Sequence, residues 1–141
     1  MREGDLSHNI LKFIHEHHVL SMATLGADSG LSSCSLFYLF VEDENCFVFA
    51  SEEATEHIKN IRQNPHVSVS IHHETTEVKE IKGLQIRGTV SEASAGYEEL
   101  YVAKYPYAKD VKNKTIWKLS ITALKYTDNS VRFGHKEVWN Y

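Results

Sequence analysis

Asn60-Ile61-Arg62-Gln63-Asn64-Pro65-His66-Val67-Ser68-Val69-Ser70-Ile71-His72 changes its period halfway along. Before the Asn-Pro pair, Ile58 and Ile61 recur at helical spacing, so Thr55 to Gln63 reads as a helix that Pro65 stops. After it, Val67, Val69 and Ile71 alternate with Ser68, Ser70 and His72, the period of a half-buried strand. The rest of the chain arranges itself around this junction.

Towards the N-terminus, Leu6, Ile10, Leu11 and Ile14 mark one face of a first helix, with Asp5 or Ser7 as its cap. Val19 to Leu25 reads as a short strand and Gly26 to Gly30 as a turn. Leu31 to Val41 reads as one long second strand, and Glu42 to Asn45 turns the chain into Cys46 to Ala50. Towards the C-terminus a charged loop leads to a strand over Lys82 to Glu92, where Gly83 and Gly88 suggest bulges or close backbone approach. Ser94 can cap a third helix that runs to Tyr105. Ile116 to Trp139 reads as two strands joined around Thr127 to Ser130. Hairpin-connected strands with about three helices predict an α+β fold, and six to seven such strands can close an antiparallel β-barrel.

At 141 residues the chain has the size of one domain, expected over residues 1–141, and such a domain buries roughly two-thirds of its unfolded surface. Hydrophobic residues at 42% and charged residues at 24% are globular values. The net charge of −4 argues against a nucleic-acid partner. The longest apolar run, Leu36 to Val41, falls far short of the ~20 residues of a membrane helix. Glu3, Asp5 and several histidines precede any apolar stretch, so no signal peptide is expected, and the expected location is the cytoplasm. With Val41 facing Cys46, Cys34 would fall opposite Glu53, too far from Cys46 for a bridge; two free, buried thiols are expected. The adjacent pairs His17-His18 and His72-His73 point to opposite faces if they lie on strands, and neither HExxH nor CxxC occurs, so no metal site is expected.

The order of these elements and three of its pieces resemble the pyridoxamine 5'-phosphate oxidase-like family of FMN-binding split barrels. The pieces are Val19-Leu20-Ser21-Met22-Ala23-Thr24-Leu25, Phe47-Val48-Phe49-Ala50-Ser51 and the Asn60 to Val69 junction; the resemblance spans about Ile10 to Asn129. Leu36-Phe37-Tyr38-Leu39-Phe40, Thr55-Glu56-His57 and Lys125-Tyr126-Thr127-Asp128-Asn129, followed by Phe133-Gly134 and Trp139, are similar to its uncharacterised YhbP-type branch.

The resemblance implies a homodimer with FMN in a cleft between the chains, acting as an oxidoreductase on a small molecule by hydride transfer through the flavin. It implies a phosphate contact for Ser51, at the end of the third strand, and for Thr55 and His57, where the family often has Ser-x-Lys. Hydroxyls and N–H groups at a helix N-terminus suit an anion. His57 stands in place of the lysine, and strand two offers Ser33, Cys34 and Ser35 where many members carry an arginine. Arg87 and Lys59 are candidates to compensate. Thr55 can equally be a helix cap and His57 a surface residue. Gln85 and Trp117 are candidates to complete the partner's site; Trp117 can equally be a core aromatic and Gln85 a solvent-facing residue. Two rival readings are a non-catalytic binding protein that keeps the fold and has lost FMN, and a haem-handling protein.

Overall fold

The computed structural model describes residues 4–141, so Glu3 and the residues before it lie outside the description. Helix α1 (His8–Glu16) starts at Ser7, whose hydroxyl accepts from the Ile10 amide, and buries Ile10, Phe13 and Ile14. Strands β1 (Val19–Leu25), β2 (Leu31–Phe37), β3 (Leu39–Val41) and β4 (Cys46–Glu52) follow, then helix α2 (Glu56–Gln63) and β5 (His66–His72). Strand β6 (Lys82–Glu92), helix α3 (Ala95–Lys104), a 3-10 turn at Pro106–Asp110, and strands β7 (Lys114–Asp128) and β8 (Lys136–Asn140) complete the chain. All pairings are antiparallel, in the order β2-β1-β5-β6-β7-β4-β3, with β8 on β7. The fold is an α+β split barrel.

The expected long strand over Leu31 to Val41 is two strands, so among the described residues the barrel has eight strands rather than six or seven. Leu31 to Phe37 pairs with β1, whereas Leu39 to Val41 pairs with β4. Tyr38, between them, is fully buried. Its N–H donates to the His18 carbonyl (2.9 Å), its hydroxyl to the Ile14 carbonyl (2.6 Å), and its carbonyl accepts from the Tyr105 hydroxyl (2.6 Å). Partners outside the ladder satisfy its polar groups, so the chain can leave one sheet edge and join the other. The division also corrects the expected place of Cys34, which faces Met22 and not Glu53. Both thiols are free; Cys46 is buried, Cys34 only half-buried, and burial pushes each up to about 11.

The β3–β4 register, Val41 opposite Cys46, is the one the turn predicts. The inward residues of β5, Val67, Val69 and Ile71, join Ile58 and Ile61 of α2 in the main core. Burying each such side chain stabilises the fold by roughly 1.5–3 kcal/mol. A second, smaller cluster lies on the other face of β4 and β7, where Cys46, Val48 and Ile116 meet Tyr101 and Ala108. The bulge expected near Gly88 is present, between Arg87 and Gly88. A Cβ there would stand 2.5 Å from the Ser120 carbonyl oxygen. Among the described residues no helix is long and apolar enough to cross a membrane.

Two substitutions test this account in urea denaturation. Tyr38→Phe should cost about 1–3 kcal/mol through the lost hydroxyl bond. Gly88→Ala should cost about 1–3 kcal/mol through overpacking against β7. Wild-type midpoints for both would contradict the placement of these residues.

Candidate functional site at the seam of the barrel

Strands β2 and β4 are not neighbours in the sheet, and their separation is the split. Beside the end of β4 lies a cavity of about 380 Å³. Its walls come from Ser51 and Glu52 of β4, Thr55 before α2, Tyr107 and Val111 after α3, and Lys114 at the start of β7. Tyr107 carries the wall towards β2, because its ring meets Phe37 at 6.1 Å between centroids. Tyr105 meets the same Phe37 ring at 5.4 Å. Phe37 and Tyr107 are both about half exposed, so an aromatic surface faces solvent here.

Three of the predicted residues come together beside this cavity, and two of them, Ser51 and Thr55, line it. Ser51 Oγ lies 2.5 Å from His57 Nε2, and Thr55 Oγ1 lies 3.3 Å from the same nitrogen. Thr55 occupies the N-cap position of α2, yet its hydroxyl donates back to the Glu52 carbonyl (2.9 Å) and caps no helical N–H. The amides of the first turn of α2 therefore keep no side-chain acceptor, the condition that favours an anion. His57 is not on the cavity wall but behind Ser51. Burial lowers its pKa, so the imidazole is neutral at pH 7 and carries no standing charge.

In the Nε2–H tautomer of His57 the ring donates to Ser51 Oγ and Thr55 Oγ1 and Thr55 donates to Glu52, which leaves the Ser51 hydroxyl proton for a further acceptor. In the Nδ1–H tautomer Ser51 donates to Nε2. Ser51 is also fixed through its backbone. Thr115 faces it on β7 and donates to its carbonyl at 3.2 Å, while accepting from the Trp117 indole N–H at 2.7 Å. Trp117 is 3% exposed and lies in the main core with the Arg62 guanidinium 5.0 Å over its ring. It reaches the site only through Thr115. Arg62 also binds the Glu53 carboxylate through two nitrogens, which holds that carboxyl below its usual range and ties the loop before α2.

Ser35 and Gln85 lie elsewhere. Ser35 is on the outer face of β2, opposite Ser21, and Gln85 on the outer face of β6, between Ser70 and Lys125. Gln85 lines a groove of about 500 Å³ whose rim includes Val138 of β8. The inward hydroxyl of β2 that meets α2 is Ser32, which donates to Glu56 at 3.0 Å. Arg87 is on the outer face beside Ser68, and Lys59 is exposed on α2. Sequence reasoning missed Ser32, Tyr107 and Lys114. The signal for the last two was a basic, tyrosine-bearing segment, Lys104 to Lys114, that reads as a solvated loop.

The sequence model of the pyridoxamine 5'-phosphate oxidase family matches residues 6–128. A UPF0306 protein of Campylobacter jejuni is 31% identical over 131 residues, covering 93% of this chain and 96% of that one. A heme binding protein from Mycobacterium smegmatis shares the fold with a TM-score of 0.74 at 15% identity. The match covers 91% of this chain, which spans only 55% of that one. A pyridoxamine 5'-phosphate oxidase-related, FMN binding protein from Nostoc punctiforme has a TM-score of 0.71 at 12% identity, covering 96% of this chain and 91% of that one. At these identities the two structures establish the fold. The family match and the Campylobacter relative establish more: this chain belongs to the pyridoxamine 5'-phosphate oxidase family of split barrels, among its UPF0306 relatives.

Proposed function

We propose that this protein binds FMN in the seam between β2 and β4 and acts, as a homodimer in the cytoplasm, as a flavin-dependent oxidoreductase on a small molecule. One observation carries the reading: the Ser51 hydroxyl backed by His57, the uncapped N-terminus of α2 and an exposed aromatic surface converge on one cavity. These groups fit the two ends of the cofactor. Hydroxyl and amide donors suit a phosphate, and Phe37 and Tyr107 suit a flat ring. The cavity's volume is within the range of small-molecule sites.

Bound FMN would supply the electron transfer, so the protein's part is to hold and orient it. Ser51 donates to the phosphate. His57 is a positioning residue that keeps the Ser51 proton turned outward, and Thr115 fixes the Ser51 backbone from β7. Dimerisation would use the outer sheet face, where Ser21, Ser35, Ser68 and Ser70 leave a low floor beside the raised Val138. On that face Ser35 and Gln85 would serve the partner's site. The haem reading is supported by the Mycobacterium smegmatis neighbour and enters as an arm of the test.

Titrating the protein into FMN, followed by flavin fluorescence, should show one site per chain with Kd of about 10 μM or tighter. Light scattering should show a dimer. An absence of quenching at ~1 mM FMN overturns the flavin reading, and a Soret band on added haemin would replace it with the haem one. A monomer overturns the shared site.

Stability should also report on His57. Its depressed pKa means that the neutral ring supports the fold above the ordinary imidazole range, and that support is lost as pH falls through the lowered value. Urea midpoints of the wild type should fall from about pH 7.5 to about pH 5 more steeply than those of His57→Asn. Parallel profiles would take away the buried, neutral role of His57.

A further inference from the structure

Resting on FMN binding at this cavity, we propose that Lys114 carries the counter-charge for the ligand's phosphate, in place of a cation on β2 or at His57. Three other candidate cations are placed elsewhere. Arg62 is held by Glu53 and Glu92, Arg87 is on the outer face, and Lys59 is exposed on the flank of α2. Lys114 lines the cavity itself, and its side chain is only 12% exposed.

The ladder dictates this position. Lys114 faces Glu52 across β4 and β7, on the face that α3 covers, while the neighbouring Thr115–Ser51 pair points to the opposite face. At the end of the strands both Lys114 and Ser51 border the cavity. Two contacts steady the ammonium: the Val111 carbonyl at 3.3 Å and Glu98 of α3 at 3.5 Å. An ammonium has three donors, which leaves one for a phosphate oxygen. Glu98 is half exposed, and ion pairs of that kind are weak. Glu98 can yield to a phosphate and return to water, while Lys114 stays inside. In the free protein it keeps the half-buried ammonium paired. The site therefore selects the phosphate monoester of a flavin over the bare flavin.

Fluorescence titrations with FMN and with riboflavin, which lacks the phosphate, separate the possibilities. Wild-type protein should prefer FMN. Lys114→Met should weaken FMN about 10- to 100-fold, the loss of a charged hydrogen bond, and leave riboflavin unchanged. Lys114→Arg should keep most of the preference, and Glu98→Gln should tighten FMN by removing the competing carboxylate. Equal loss of both flavins in Lys114→Met, or an unchanged preference, overturns the assignment of Lys114 while FMN binding stands. Wild-type protein that binds no flavin overturns the binding reading and this inference with it. Thermal melts of the variants, matched to wild type, keep a folding defect from imitating the result.

Discussion

Everything about the site depends on the chain's passage through Tyr38. Its phenol is buried against α1, its N–H and hydroxyl are bonded to His18 and Ile14, and its carbonyl takes the Tyr105 hydroxyl from beyond α3. A residue so fully satisfied away from the ladder lets two consecutive strands belong to opposite edges of one sheet. The barrel is then closed by a covalent crossing and not by a row of hydrogen bonds. A seam between β2 and β4 is the necessary result.

The seam's contents follow from where each strand ends. Strand β4 runs out at Ser51 and Glu52, directly before α2, so a strand-end hydroxyl and a helix N-terminus meet. The Tyr38–Tyr105 bond anchors the end of α3 here, and Tyr107 follows two residues later against Phe37. The bond that fixes the fold thus also delivers the aromatic wall. Thr55 shows the local trade: its hydroxyl bonds Glu52 and leaves α2 uncapped, which forgoes about 1 kcal/mol of helix stability and keeps the amides open to a ligand.

What could be read from the sequence is what short-range periodicity and turn chemistry determine. The alternation of Val67, Val69 and Ile71, the close of α2 at Asn64-Pro65, the register of Val41 on Cys46 and the bulge at Gly88 are all visible in neighbouring residues. The break at Tyr38 is not, because its partners lie at residues 14, 18 and 105, and the apolar run through it resembles an unbroken strand. Side-chain parity separated the candidate residues as well. Ser35 and Gln85 face outward, whereas Ser51 shares the inner face of β4 and β7 with Trp117 and differs from it by lying at the strand end, where it meets Thr55 and His57. Lys114 was hidden in a basic segment in which Lys109 and Lys112 are exposed and Lys104 is half-buried; the β4–β7 register sets Lys114 opposite Glu52 on the face that α3 covers, where Glu98 meets it.

The most direct measurement is a crystal structure of the protein with FMN. The account predicts a phosphate oxygen about 3 Å from Ser51 Oγ and close to the amides of the first turn of α2, with the flavin ring reaching Phe37 and Tyr107. A phosphate bound away from Ser51, or a flavin seated wholly outside the seam of β2 and β4, would contradict it.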